Sequence, residues 1–85
     1  MKSRAEASLW KLWTMVWERS GDLYHATLRS PFGEVIFHLV AEKLGRAWDW
    51  SVWRPADPPE RARHGVRVSV QEAVRDAEAA VQRQA

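Results

Sequence analysis

The residues of this chain whose types could do chemistry are His25, His38, Asp49 and Ser51. An antiparallel hairpin folded about residues 30–33 sets Arg29 opposite Glu34, and the same register sets His25 opposite His38. The next strand brings Ser51 beside His38, with Asp49 diagonal to it. Two neighbouring imidazoles are the start of a zinc site, and Ser, His and Asp are the parts of a hydrolytic triad. Either chemistry needs more than residue types. A zinc site wants a third protein ligand, and acyl transfer wants an oxyanion hole in a pocket that excludes water. Ser51 falls in mid-strand on an open face, with neither. The chain also lacks a Gly-rich phosphate loop and a paired-His helix motif. The expectation is therefore a non-enzyme that needs no metal and no cofactor.

A second constellation is basic. Arg54, Arg61, Arg63, His64 and Arg67 surround Pro55, Pro58 and Pro59, offset only by Asp57 and Glu60. Proline lacks the N–H that a sheet ladder needs, so residues 54–67 read as an irregular, Arg-rich loop. Arg outnumbers Lys ten to three, which suits bidentate contacts to phosphate or carboxylate. Such a loop could hold a nucleic-acid backbone or an acidic protein surface. The net charge of +2, from 13 basic and 11 acidic residues, is far below that of a dedicated nucleic-acid protein. Nucleic-acid binding through Arg54, Arg61, Arg63 and Arg67 is the second choice.

The elements that must position these groups fit one domain spanning residues 1–85, and large catalytic scaffolds are excluded by size. With no Cys, the core must hold the fold without disulfides or thiolate metal sites. Trp10, Trp13 and Trp17 keep helical spacing, but Trp13, Met15 and Trp17 also alternate ahead of a Ser20-Gly21-Asp22 turn signal. A hairpin explains the segment more economically than a helix. Strands are expected at about 11–18, 23–29, 34–41 and 47–54, and residues 1–10 are expected to be flexible or a short helix. Ser69 with Glu72 three residues on is a capping-box signature, and Val70, Ala73, Val74, Ala77 and Val81 make one apolar stripe. That places a helix at about 69–83. The fold class is α+β: a four-stranded antiparallel meander with one C-terminal helix packed on one face.

Alternation assigns the two faces. Trp13, Met15, Trp17, Tyr24, Leu28, Val35, Phe37, Leu39, Trp48, Trp50 and Val52 share the side under the helix. Paired positions are expected to join Trp17 to Tyr24, Tyr24 to Leu39, and Leu39 to Trp50. The other side would carry Leu12, Val16, Leu23, Ile36, Val40 and Trp53 among His25, Arg29, His38 and Asp49. A solvated face normally alternates to polar residues, and apolar side chains left open there mark an interaction site. Val16, Leu23, Ile36, Val40 and Trp53 would anchor a protein partner or a second copy of the chain. His25, Arg29, His38 and Asp49 would orient it.

The order of elements resembles that of a diffuse group of short bacterial and phage proteins. The resemblance is carried by Trp17, Gly21, Tyr24-His25-Ala26, Trp48-Asp49-Trp50, Gly65 and the segment from Ser69 to Ala80. It implies a strand meander followed by a helix. The helix segment is also similar to that of antitoxins with a partial RNase-H fold, which implies an antitoxin-like regulator as a further alternative. Phage inhibitors of host defence, anti-CRISPR proteins included, are often single domains of this size that act by occluding a surface. The basic start at Met1–Arg4 is followed by no signal-peptide cleavage pattern, and no run of 18 apolar residues occurs. A soluble, cytoplasmic, non-catalytic protein-binding module is expected, acting as a homodimer or by capturing a partner, with no membrane contact.

Overall fold

Glycines placed one residue ahead of a polar neighbour close two of the four hairpins. The computed structural model describes residues 13–84, arranged as β1 (Thr14–Ser20), β2 (Leu23–Arg29), β3 (Val35–Leu44), β4 (Ala47–Arg54), β5 (Glu60–Arg67) and helix α1 (Val70–Gln84). The strands form one antiparallel sheet in sequence order, β1-β2-β3-β4-β5. Expectations for residues 1–10, for Trp10 and for Leu12 lie outside the described residues.

The architecture is α+β with the helix on one face, as expected, but the sheet has five strands rather than four. The missed strand is β5. Its prolines are confined to the connection 55–59, whose Asp57–Pro58 peptide is cis, and Glu60–Arg67 then pairs with β4 along its length. Proline forbids ladder pairing only where it stands, so the loop is shorter than its composition implied.

Each of the three expected registers is off by two residues. Trp17 faces Ala26 rather than Tyr24, Tyr24 faces Ala41 rather than Leu39, and Leu39 faces Val52 rather than Trp50. An even slip leaves every side chain on its expected face, whereas an odd one would invert a strand. The cause is turn geometry. Gly21 and Gly45 each take the first loop position, at φ 63° and 66°, so Ser20 and Leu44 stay in their strands. Placing Gly second would have forced Ser20 toward a left-handed conformation that a side chain disfavours.

The turn between β2 and β3 is tied by Ser30, which is nearly buried. Its hydroxyl accepts the N–H groups of Phe32 and Glu34 at 3.2 and 3.3 Å, and its carbonyl accepts Gly33 N–H at 2.9 Å. The longer loop is absorbed by a bulge: Leu28 faces Phe37 but Arg29 faces Val35. As a result Val35, expected in the core, lies beside Arg29 and outside it, whereas Ile36, expected on the outer face, packs against the core.

The core is formed by Ala26, Leu28, Phe37, Leu39, Ala41, Trp50 and Val52 of the sheet against Ala73, Ala77, Ala80 and Val81 of α1. Small residues on the helix let it lie close to bulky ones on the strands. The helix packs over β3, β4 and β5. Trp13, Met15, Trp17, Tyr24 and Trp48 are only partly buried at the margin of this core. Trp17 reaches the helix with its indole N–H, which donates to Glu78 Oε2 at 2.9 Å.

Ser69 caps α1 by accepting Glu72 N–H on its hydroxyl at 3.2 Å. The Glu72 carboxylate then turns to Arg67, 2.9 Å away, and Asp76 meets the same guanidinium at 3.0 Å. The hydrogen bond from Arg67 chiefly, then that from Ser69, holds the Glu72 carboxyl below its ordinary value of 4.5, and the two carboxylates raise Arg67 further. A depressed folded-state pKa adds stability above the unfolded value, lost as pH falls through the folded one. Arg67→Met should therefore lower the melting temperature at neutral pH. Its difference from wild type should shrink steadily as melts are taken from pH 5 down through the acid range below 4.5. A difference constant with pH would show that Arg67 acts through packing instead.

Candidate functional site

The face of the sheet away from α1 is built by alternate residues of all five strands. Reading across from β1 to β5, the pairings set out rows. One row runs Glu18, His25, Val40, Ser51 and His64, and the next Val16, Thr27, His38, Trp53 and Arg61.

The two-residue slip separates the histidines that the sequence set opposite each other. His38 faces Thr27 and Trp53, while His25 faces Glu18 and Val40. Thr27 Oγ1 stands 3.4 Å from His38 Nδ1, and Glu18 Oε1 3.9 Å from His25 Nε2. Ser51 lies between Val40 and His64, and its hydroxyl accepts the Trp53 indole N–H at 2.9 Å. Asp49 is a row away, between Glu42 and Val66. Ser51 is thus neither beside His38 nor free to be activated by it. Among the described residues no three His, Asp, Glu or Cys side chains cluster as metal ligands.

Of the residues expected to bind a partner, Val16, Leu23, His25, Arg29, His38, Val40, Asp49 and Trp53 do share this face. Ile36 does not. The apolar members are dispersed rather than contiguous: Val16 is 70% exposed, while Leu23, Val40 and Trp53 are half-buried between polar neighbours. Val66 and Leu44, exposed on the same face, were missed because β3 was expected to end at 41 and residues 60–67 were expected to be loop rather than strand. Between β1 and β2 lies a shallow open depression of about 240 Å³ lined by Val16, Glu18, His25, Thr27 and Arg29.

The charges on this face are separated along the strands. Glu18, Glu42 and Asp49 stand toward the Gly21 and Gly45 turns, whereas Arg29 and Arg61 stand toward the other end, which also holds Trp53. Arg61 stacks its guanidinium 5.9 Å from the Trp53 ring centre. That contact and the Ser51 hydrogen bond fix the indole from two sides.

The expected Arg cluster is divided by the pairing of β5. Arg61 joins the outer face, but Arg54 meets Glu60 at 3.2 Å and stacks over Phe37 on the helix side, where Arg67 is held by Glu72 and Asp76. Arg63 faces Val52 across the ladder and is exposed. No helix among the described residues is long and apolar enough to cross a membrane. No family model, curated protein or solved structure matches this chain, so its own residues must carry any functional reading.

Proposed function

We propose that the chain is a non-catalytic protein-binding module whose outer sheet face receives an acidic protein segment. The reading is carried by Trp53, half-exposed and pinned by Ser51 and Arg61 at the basic end of a face that no other described element covers. Trp and Arg dominate binding energy at interfaces, and a side chain already held in place loses little entropy on contact. Arg29 and Arg61 at the same end select carboxylates, while Glu18, Glu42 and Asp49 at the far end disfavour an acidic chain laid the wrong way. Nucleic acid is the weaker reading, because carboxylates already engage two of the four arginines invoked for it.

The test immobilises the full chain and selects binders from a random peptide library. Acidic peptides should be enriched, and Trp53→Ala should weaken the best of them at least about 30-fold, the equivalent of a 2 kcal/mol hot spot. Arg61→Ala should weaken them and flatten their salt dependence. Enrichment of neutral or basic peptides, or indifference to Trp53→Ala, would overturn the reading. So would tighter binding to generic DNA or RNA that falls steeply with salt.

A further inference from the structure

The two edges of the sheet are not equivalent. Edge strands expose unpaired N–H and C=O groups, and proteins blunt them with charge, proline, glycine or bulges. The β5 edge has such protection: Arg61, Arg63 and Arg67, Gly65, a register shift at Val52/Trp53, and Pro58-Pro59 just before it. The β1 edge has none over Thr14–Trp17. Its Val16 is the most exposed aliphatic residue of the outer face, and Met15 and Trp17 on the helix side are only half-buried. Among the described residues α1 packs over β3–β5 and reaches β1 through the Trp17–Glu78 hydrogen bond, and no described strand pairs with the outer side of β1.

The direction of the free groups follows from the turn. In a two-residue hairpin the pair flanking the loop, here Ser20 and Leu23, exchanges both hydrogen bonds, and the pattern alternates from there. Met15, Trp17 and Arg19 therefore aim their N–H and C=O groups away from β2.

We propose that this edge pairs with the same edge of a second copy, antiparallel and centred on Val16. In that register Val16 faces Val16 across the two-fold axis, Met15 faces Trp17, and Thr14 faces Glu18. The Met15–Trp17 pair lies at the hydrogen-bonded positions, as the outward groups require, and brings a thioether to an indole. Val16 falls at a non-hydrogen-bonded position, where opposed side chains approach most closely. No two like charges meet, a condition that centring the pairing on Glu18 would break. Because the axis stands perpendicular to the sheet, both copies keep their helices on one side and their outer faces on the other. The two sheets join into one, and each Trp53 site remains open. This interface shares Val16 and Glu18 with the outer face but none of Arg29, Trp53 and Arg61, and stands whether or not the peptide-binding reading holds.

The experiment is the oligomeric mass of the full chain by sedimentation equilibrium, at concentrations up to about 1 mM, the range in which even weak association shows. The wild type should approach twice the 9.8 kDa of one chain. Val16→Lys sets two lysines face to face and should weaken the dimer at least about tenfold, with the melt little changed at dilutions where both proteins are monomers, because residue 16 is exposed in the single chain. Val16→Glu should do the same, and mixing the two variants should restore the dimer. That rescue requires residue 16 to oppose itself. A monomeric wild type, as another occupant of the edge would produce, overturns the proposal; so does a Val16→Lys dimer of unchanged affinity, or variants that fail to rescue each other.

Discussion

Gly65→Ala should lower the melting temperature by about 5–20 °C, the shift that 1–3 kcal/mol of overpacking gives in a domain of this size. Gly65 faces Trp50 across β4 and β5, and the indole packs against it. A Cβ added there would sit 2.7 Å from Trp50 Nε1 and 2.9 Å from Cε2 and Cζ2. The backbone does not demand glycine, since the positive φ angles belong to Gly21, Gly33 and Gly45. The requirement is steric, and Trp50 cannot yield because it is itself buried in the core. The pair should consequently couple. Trp50→Phe alone leaves a void, although it also removes an indole N–H that has no hydrogen-bond partner among the described residues. Adding Gly65→Ala to Trp50→Phe puts a methyl where the indole stood. The double variant should be more stable than the sum of the singles predicts by roughly 1 kcal/mol or more. Additive losses in chemical denaturation would mean that Gly65 serves some need other than Trp50.

That contact also explains why β5 was hard to read. Its outward and inward positions do not alternate between polar and apolar: Arg63 and Gly65 lie where core residues would be expected, and the bulge brings Ala62 against the core instead. The volume a fifth inward side chain would have filled is supplied by Trp50 from the neighbouring strand. A sequence pattern reports each strand's own side chains, so a strand covered by its neighbour's indole looks like a loop. The other strands and the helix were legible because β2, β3 and β4 carry their own bulk. The capping residues Ser69 and Glu72 likewise announce α1 without reference to anything distant.

The outer face was legible as a surface and misread in detail. Alternation assigns side chains to faces modulo two, and a slip of two residues is invisible to it. It is not invisible to chemistry, because a site depends on which side chains are neighbours. The Ser30 loop and its bulge moved His38 away from His25, and the Gly45 turn set it opposite Trp53 rather than Ser51, whose hydroxyl accepts the indole N–H along the same strand. Arg61 was recognised as a binding residue but could not be placed on Trp53 until β5 existed.

The asymmetry between the two faces has its largest consequence at two consecutive residues of β3. Leu39 is fully buried beneath α1 and flanked across the ladder by Ala26 and Val52. Its direct ladder partners Ala26 and Val52 are both smaller and themselves buried, and the core residues of the helix are three alanines and a valine, so little can reach into a void left by its loss. Leu39→Ala should therefore fall toward the upper part of the 2–5 kcal/mol range for such truncations. A domain of this length has only about 4–13 kcal/mol in total, so the variant should be close to unfolding at 37 °C. Val40, next along the strand, points to the outer face and is half-buried among His25 and Ser51. Val40→Ala removes less area from a site where water can replace it, and should cost under about 1 kcal/mol. Urea denaturation of both variants checks the contrast: equal losses would mean that both sheet faces are covered alike. The exposed β1 edge and the Trp53 face would then already have occupants.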